Sequence, residues 1–352
     1  MGQSLEGQRV GPWVLLEHIG SGGMGDVWMS RHAHEQDQIA AVKVCRTNNF
    51  DAPKKRFVRE ARALEQLDHP AIVRFMGSGE SDDGYLYLAM EHAAGDTLSK
   101  RIRRGPMPVH EALIRFRVIA AGLAHAHERG LFHRDLKPSN IMVGEQNSVK
   151  ILDFGNALEE GEDDRLTREG AVSGTAPYLP PEALDGGGYD PRFGDVYAVG
   201  VVLWEALTGS RAFSEPKGER TRFEHASFRE RKGSALALDE VFPAGVRALV
   251  GCATEPDPGN RFADMGAMSA ALSTALEELQ RVGGETTLPT GAVQRSDEIA
   301  VAIEAVESAP GPALSAPPSH AANVALFGVL SGIALGLALL VVVAGLYFAL
   351  SS

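Results

Sequence analysis

Short apolar runs separated by turn residues follow one another through the first ninety positions of the chain. Runs of this length and composition are typical of β-strands, and they cover 13–16, 27–30, 40–44, 73–76 and 85–90. Between the third and fourth runs, Phe57, Ala61 and Leu64 recur at helical spacing and predict an amphipathic helix. We therefore expect a small antiparallel lobe of five strands and one helix.

From about residue 95 the apolar residues recur at helical spacing over longer segments. The segment 110–129 has a continuous apolar face, formed by Leu113, Phe116, Ala120 and Leu123. Gly130 follows it at the position where glycine commonly ends a helix. The segment 195–209 is apolar on nearly every side, which predicts a buried central helix. The second lobe is thus expected to be helical.

Residues 324–350 form an apolar run of 27 residues without a charged side chain. As a helix this run is about 40 Å long, which exceeds the roughly 30 Å hydrocarbon core of a bilayer. It predicts one tilted transmembrane helix, because a buried core helix, the alternative, seldom has so long an apolar run. Only Ser351 and Ser352 follow in this sequence, so we expect a C-terminal anchor, no sensor domain beyond it, and a cytosolic location for the rest.

Small residues are frequent both in this span and in the segment before it. Residues 283–322 are rich in Ala, Pro, Ser, Thr and Gly, which predicts a flexible linker. Gly328, Gly332 and Gly336 recur every four residues and predict a flat stripe on one face of the span. The stripe suggests a homodimer, which could form through these glycines or through the kinase domain, although glycine is common in membrane helices generally.

Charge and cysteine content exclude several classes of function. The net charge of −12 makes nucleic acid an unfavourable partner. Hydrophobic residues make up 44% of the chain, which is enough for a sizeable core. Cys45 and Cys252 cannot form a disulfide framework and lie in no cluster with zinc-ligand spacing. We therefore expect folding in a reducing compartment and no nucleic-acid partner.

A glycine-rich motif, G-x-G-x-x-G-x-V, begins at Gly20 and ends at Val27. Glycines without a Cβ let backbone amides approach phosphate oxygens closely. A dinucleotide-binding motif would run from a strand into a helix, whereas here β-type residues lie on both sides. The motif predicts a hairpin over phosphates, although a plain glycine-rich turn would explain it equally well.

Lys43 ends the third predicted strand, and Glu60 lies on the predicted helix after it. A strand lysine beside a phosphate-binding loop can bind phosphate oxygens if another group fixes its long side chain, and Glu60 is suited to do so. Taken singly, each residue fits a solvated surface position better.

Two later motifs, HRDLKPSN at 133–140 and DFG at 153–155, supply acids and an amide between β-type runs. Asp135 can orient a hydroxyl group and accept its proton. Asn140 and Asp153 can offer oxygen ligands to Mg²⁺, a hard cation. Together the motifs provide the residue types that phosphoryl transfer needs.

With these motifs in this order, residues 13–275 resemble the eukaryotic-type (Hanks-type) serine/threonine protein kinase family, in particular its membrane-anchored bacterial members. The resemblance implies an α+β, two-lobed kinase fold, with a β-rich N-lobe at about 13–92, a helical C-lobe at about 93–282, and the transmembrane helix after them. It also implies ATP and Mg²⁺ as cofactors, with Mn²⁺ as an alternative metal. Proteins with serine or threonine acceptors would be the substrates.

The resemblance implies roles for individual residues. Those matched to the catalytic apparatus are the phosphate-binding Lys43 with its partner Glu60, the catalytic Asp135, the charge-neutralising Lys137, and the metal ligands Asn140 and Asp153. Those matched to the ATP site are Ile19, Gly20, Ser21, Gly22, Gly23, Met24, Gly25, Asp26, Val27, Ala41, Lys43, Glu91, Ala93 and Met142, with Met90 as the gatekeeper. Those matched to substrate positioning are Thr175, Glu182 and Arg261.

The segment after the DFG motif carries the expected regulation and the main departure from the family. Arg134 precedes Asp135 and can pair with a phosphorylated segment, for which Thr167 and Ser173 are the candidate phosphosites. The run LEEGEDD at 158–164 holds five acids where many relatives have a basic residue. These acids form a solvated loop, partly replace a phosphate, or favour basic substrates. Asn156, directly after the DFG motif, is another departure, and it leaves open whether the kinase prefers serine or threonine as the acceptor.

Two other functions are compatible with this sequence. A pseudokinase would act as an ATP-binding scaffold, but the residues matched to the catalytic apparatus are all present. A small-molecule kinase would share the catalytic aspartate and the metal ligands. The segment GTAPYLPPE and Arg261 favour a protein acceptor, because they resemble the peptide-positioning part of the family.

Overall fold

The apolar runs of the first ninety residues form one antiparallel sheet in the computed structural model of the protein. Its strands are β1 (Arg9–Val10), β2 (Trp13–Gly22), β3 (Gly25–His32), β4 (Ile39–Arg46), β5 (Phe75–Glu80) and β6 (Tyr85–Glu91). They lie in the order β1-β2-β3-β4-β6-β5. Helix α1 (Asp51–Glu65) connects β4 to β5. The expected antiparallel lobe with one helix is confirmed.

Side-chain alternation along β4 gives the sheet two different faces. Ala41 belongs to the main core together with Phe57 and Leu64 of α1. Val42 belongs instead to another cluster, on the opposite face, that contains Trp13. Because Lys43 is two residues from Ala41, the same alternation places it on the α1 side.

Two details of the lobe differ from the sequence prediction. The strand predicted at 73–76 begins only at Phe75, because the Val73 amide donates instead to the carbonyl oxygen of Ile151, 3.1 Å away in the other lobe. The short strand β1 was not predicted. Its two residues are too few to show an alternating pattern, and it pairs with the start of β2.

The second lobe is helical, as expected. Its helices are α2 (Leu98–Arg103), α3 (Val109–His127), α4 (Pro181–Leu184), α5 (Pro191–Thr208), α6 (Ala244–Ala253) and α7 (Met265–Gly284). Helix α5 is the predicted central helix and is buried along most of its length. The Asp190 carboxylate caps its first turn, and Gly209 ends it with φ of +69°.

Short strands hold the chemically important segments in the second lobe. They are β7 (Asp96–Thr97), β8 (Leu131–Phe132), β9 (Ile141–Val143), β10 (Val149–Ile151) and β11 (Leu158–Glu159). β9 pairs with both β7 and β10, and β8 pairs with β11. The loop 133–140 therefore runs between β8 and β9, and Asp153 follows β10 by two residues. The predicted two-lobed architecture is confirmed.

The structure describes residues 5–22, 25–46, 51–154, 158–159, 176–184, 190–213 and 233–284, all within one compact unit. No helix in these ranges is long and apolar enough to cross a membrane. Several predictions concern residues outside the described ranges, namely Gly23, Met24, Asn156, residues 160–164 of the acidic run, Thr167, Ser173, Thr175, most of the linker, the span 324–350 and its glycine stripe. Helix α7 extends to Gly284 and so includes the first two positions of the predicted linker.

Candidate active site

The glycine motif forms the hairpin of β2 and β3, with Gly20 paired to Val27 across the strands. At Gly25, φ is +132° and a Cβ would collide with the Val44 carbonyl group of β4. Only glycine fits this position without strain. The motif therefore joins two strands, as predicted, and does not lead into a helix.

A polar cluster connects the two strands near the tip of this hairpin. The Ser21 hydroxyl donates to Asp26 Oδ1 at 2.7 Å, and His18 Nε2 lies 3.0 Å from the same hydroxyl. Sequence reasoning missed this cluster, because it depends on the register that places Ser21 opposite Asp26. It ties the hairpin together from its exposed side.

Lys43 lies at the centre of a charged group that joins the two lobes. Its Nζ is 2.6 Å from Glu60 Oε2 on α1 and 3.8 Å from Asp153 Oδ1 in the second lobe. The side chains of Lys43 and Glu60 are only 8% and 1% exposed. Neither is the solvated surface residue that its sequence position alone suggested.

Burial has opposite effects on the two members of this ion pair. Burial raises the pKa of Glu60 to about 7, although the nearby Lys43 ammonium opposes the shift. Burial alone would lower the pKa of Lys43, but the carboxylates of Glu60 and Asp153 outweigh it and raise that pKa above its ordinary value. Lys43 therefore stays protonated at neutral pH, whereas Glu60 can titrate there.

The loop 133–140 brings Asp135 and Lys137 together. Lys137 Nζ lies 2.7 Å from Asp135 Oδ2, and the Asp135 side chain is only 10% exposed. The side-chain amide of Asn140 donates to the Asp135 carbonyl oxygen at 3.0 Å, and the Asn140 carbonyl oxygen accepts from the Leu152 amide at 2.8 Å. The loop is thus fixed to the segment that leads into Asp153.

Asp195, in the second turn of α5, holds the first residues of this loop. Its carboxylate accepts from the amides of His133 and Arg134, both at 2.8 Å, and lies 2.9 Å from His127 Nε2. Burial alone would raise the pKa of Asp195, but the contact with His127 holds that pKa below its ordinary value. Sequence reasoning missed this residue. An aspartate inside an otherwise apolar helix was the available signal.

The backbone is in a left-handed conformation at two non-glycine residues of the site, Arg134 with φ of +63° and Asp153 with φ of +60°. Such residues persist only where neighbouring contacts hold them. For Arg134 the contact is with Asp195. For Asp153 it is the buried Phe154, whose ring centroid lies 4.9 Å from that of His133. This conformation places the Asp153 carboxylate near Lys43.

The residues matched to the adenine site lie around the junction of the lobes. Ala41 of β4 pairs with the buried Met90 of β6, and Met142 lies on β9. Ile19 is 45% exposed on β2. Glu91 ends β6, and its carboxylate lies 2.7 Å from Lys150 Nζ on β10. The segment between the lobes is therefore bound to the second lobe by a side-chain ion pair.

Arg261 and Glu182, two of the residues matched to substrate positioning, form a bidentate ion pair. The Arg261 nitrogens Nη1 and Nη2 lie 2.7 and 2.8 Å from the two Glu182 oxygens, and the guanidinium side chain is fully buried. Tyr178, just before α4, is held by hydrogen bonds to Glu205 at 3.1 Å and Arg211 at 2.7 Å. The last two contacts were not predicted, because they join residues that are distant in sequence.

The family model described as protein kinase domain matches residues 13–272, which include the hairpin, Lys43, the loop 133–140 and Arg261. The chain belongs to the protein kinase family. The resemblance drawn from the glycine, HRD and DFG motifs is thereby confirmed.

The relatives of this kinase include bacterial serine/threonine-protein kinases. PknL of Mycobacterium tuberculosis is 38% identical over 270 residues, which is 76% of this chain and 66% of the relative. PrkC of Bacillus subtilis is 34% identical over 277 residues, or 78% and 42% of the two chains. The Myxococcus xanthus kinase pkn3 is 34% identical over 276 residues, or 75% and 50%. The match thus spans less than two thirds of the length of these relatives.

Members of this family use ATP and a divalent metal, and the donor atoms in the kinase fit both. The Asn140 amide oxygen and the Asp153 carboxylate are hard oxygen ligands, which Mg²⁺ prefers. The described ranges hold no cluster of three or more His, Cys, Asp or Glu side chains suited to a metal. Two protein ligands are enough where phosphate oxygens complete the coordination shell. The ammonium group of Lys43 beside Asp153 suits a phosphate in the same space.

The raised pKa of Glu60 predicts how ATP use depends on pH. Below about pH 7 Glu60 takes up a proton and no longer fixes Lys43 as an ion pair. We therefore expect kcat/KM for ATP to fall several-fold between pH 8 and pH 6 in steady-state assays. In Glu60→Gln, kcat/KM should be low throughout and lose this step. The titration of ATP itself is the same in the assays of both proteins. Profiles of the same shape would therefore contradict the assignment of the pH step to Glu60.

Proposed function

We propose that this kinase transfers the γ-phosphate of ATP to serine or threonine hydroxyl groups of proteins. The observation that carries the proposal is the contact of the buried Lys43 ammonium group with Glu60 on one lobe and Asp153 on the other. A phosphate-binding lysine fixed in this way joins the nucleotide site to the metal site. An ATP-binding scaffold would have no need of the paired Asp135 and Lys137.

Each polar residue of the site has one part in this reaction. Lys43 binds phosphate oxygens of ATP, and Glu60 keeps its ammonium group in place. Asp135 orients the acceptor hydroxyl and takes its proton as the oxygen attacks the γ-phosphorus. Lys137 offsets the negative charge on the transferring group. Mg²⁺, when bound by Asn140 and Asp153, supplies further charge neutralisation.

A protein acceptor is supported by the buried pair of Arg261 with Glu182 and by the contacts of Tyr178. These contacts fix the segment just after Thr175, which the family resemblance assigns to peptide positioning. Serine and threonine as acceptors are supported by Lys137 within HRDLKPSN and by the relatives PknL and PrkC, which are serine/threonine-protein kinases.

Membrane attachment and autophosphorylation belong to the same proposal. The 27-residue apolar run 324–350 supports a single membrane span with the kinase domain in the cytoplasm. The stripe of Gly328, Gly332 and Gly336 supports pairing of two copies. Pairing would raise the local concentration of each copy's segment after the DFG motif, which holds the candidate phosphosites, near the active site of the other copy. Extraction of membranes with alkaline carbonate tests the anchor, because it releases proteins that do not span the bilayer.

A direct transfer assay tests the proposed activity. The full chain is incubated with labelled ATP, Mg²⁺ and myelin basic protein, and Lys43→Ala serves as the matched inactive control. We expect label on serine and threonine of the acceptor with the wild type only. Label on a small molecule but not on protein would favour a small-molecule kinase. ATP binding without any transfer would indicate a pseudokinase.

A further inference from the structure

The exposed side of α2 is strongly basic. Lys100, Arg103 and Arg104 are spaced i, i+3 and i+4, so they share one face of the helix, and all three are exposed. Arg101 is on another side, where the Gly105 carbonyl oxygen accepts its hydrogen bond at 3.2 Å. We call Lys100, Arg103 and Arg104 the basic face.

One acidic side chain offsets part of this charge. Asp96 lies 2.6 Å from Arg104 Nη2 and 3.5 Å from Lys100 Nζ. The hydrogen bond from Arg104 lowers the pKa of Asp96, so its carboxylate is ionised at neutral pH. Arg103 donates at 3.1 Å to the neutral hydroxyl of Ser99. Among the described side chains, two positive charges are thus left on this face, although the whole chain carries −12.

Helix α2, which carries the basic face, is close to the loop 133–140 that holds Asp135, the catalytic loop. Helix α2 packs against the turn Pro138–Asn140 of that loop and against β9. Strand β7, which leads directly into α2, pairs with β9 through Asp96 and Thr97. A protein segment held by α2 would therefore lie beside the residues that accept a hydroxyl proton and bind metal.

The chain itself contains a segment of complementary charge. Residues 159–164, EEGEDD, hold five acids and precede Thr167 by three to eight positions. An extended chain reaches at most about 3.5 Å per residue, so these acids lie within roughly 10–28 Å of the Thr167 hydroxyl. An acidic run held on α2 would thus keep Thr167 within this distance of α2, which packs against the catalytic loop. Arg165 and Arg168 flank the threonine itself and are not part of the acidic run.

We infer that the basic face of α2 is a docking site for the acidic run 159–164 of a second copy of this chain, and that it delivers Thr167 of that copy to Asp135. The Thr167 oxygen forms the new bond to the γ-phosphorus of ATP, the bond to the bridging oxygen of ADP breaks, and the proton passes to Asp135. The inference rests on the proposed function and adds its substrate segment. The acidic run, in which this chain departs from the family, is then the segment that the second copy recognises.

Basic residues near the end of a helix also stabilise the helix through its dipole. That role concerns α2 of the same copy alone, so it would not depend on the charges of another copy. An experiment in which one copy, the catalyst, transfers the phosphate and another copy, the recipient, accepts it therefore distinguishes helix stability from docking.

The test uses two versions of the full chain in detergent. The recipient carries Asp135→Asn, which slows its own phosphate transfer by at least about a hundredfold. The catalyst carries Lys100→Ala, Arg103→Ala and Arg104→Ala. Mass spectrometry measures the phosphate transferred to Thr167 of the recipient. We expect this transfer to fall about tenfold. The fall should be smaller at high salt, because screening already weakens the contact. A control catalyst with Arg9→Ala, Arg31→Ala and Arg281→Ala loses three exposed charges elsewhere and should transfer at the wild-type rate.

Charge reversal on both sides makes the test specific. A catalyst with Lys100→Glu, Arg103→Glu and Arg104→Glu should regain transfer to a recipient whose five acids are changed to lysine. Unchanged transfer by the alanine catalyst, or no recovery on reversal, would overturn the inference. If the basic face instead held the acidic run of its own copy over the active site, the alanine catalyst would hydrolyse ATP several-fold faster in the absence of an acceptor. That result would also overturn the inference, because it would indicate docking within one copy. If the wild type transfers phosphate to no protein at all, the proposed function itself fails.

Discussion

Replacing Asp135 by asparagine should lower kcat for phosphate transfer by roughly 10²–10⁴-fold, the usual contribution of a positioned general base. The asparagine side chain has the same shape and can still face the acceptor hydroxyl, but its amide cannot take up the proton. The contact with Lys137 at 2.7 Å would lose its charge as well. KM for ATP should change little, because Lys43, which binds the phosphates, lies in the other lobe together with Glu60, which fixes it. Steady-state assays that vary ATP and protein acceptor separately measure both constants.

Asp264→Asn is the matched control for this prediction. Asp264 caps the first turn of α7 by accepting from the Ala267 amide at 2.7 Å, and asparagine caps a helix about as well as aspartate. The control should keep wild-type activity and stability. An Asp135→Asn enzyme with more than a tenth of the wild-type kcat would contradict the role of Asp135 as the base.

The sequence predicted those parts of the fold that depend on local pattern. The helical spacing around Phe57 predicted α1, the apolar segment after Asp195 predicted α5, and the glycine motif predicted a hairpin. In each case the residues that determine the structure lie within one element. The side-chain period of that element therefore shows which face is buried.

Contacts between elements were predicted only where a family motif linked the residues. The pair of Lys43 and Glu60 is an example, since nothing in the local sequence of either residue distinguishes it from a surface position. The ion pair of Glu91 with Lys150 and the hydrogen bonds of Tyr178 were not predicted. They arise when packing of whole lobes brings distant segments together, and their side chains are common surface types.

Asp195 is the most consequential residue that sequence reasoning missed. It was included in the predicted central helix only as its first position, where aspartate commonly caps a helix. The actual cap is Asp190, five residues earlier, and Asp195 lies inside the helix with its side chain buried. A buried carboxylate needs hydrogen-bond partners, and the backbone amides of the catalytic loop supply them. The catalytic loop and the central helix thus satisfy each other's polar groups.

Replacing Asp195 by asparagine should therefore lower the free energy of unfolding by about 3–5 kcal/mol, the usual cost of breaking a buried charged contact. The amide has one oxygen for three donors, so at least one buried N–H group of the loop loses its partner. Activity should also fall at least tenfold at temperatures where the variant is folded, since the left-handed turn at Arg134 loses its support. Chemical unfolding monitored by tryptophan fluorescence gives the stability, and transfer assays give the activity. The same change at the exposed cap, Asp190→Asn, should cost less than about 1 kcal/mol. Equal losses from the two substitutions would show that the contact with the loop is not what makes Asp195 important.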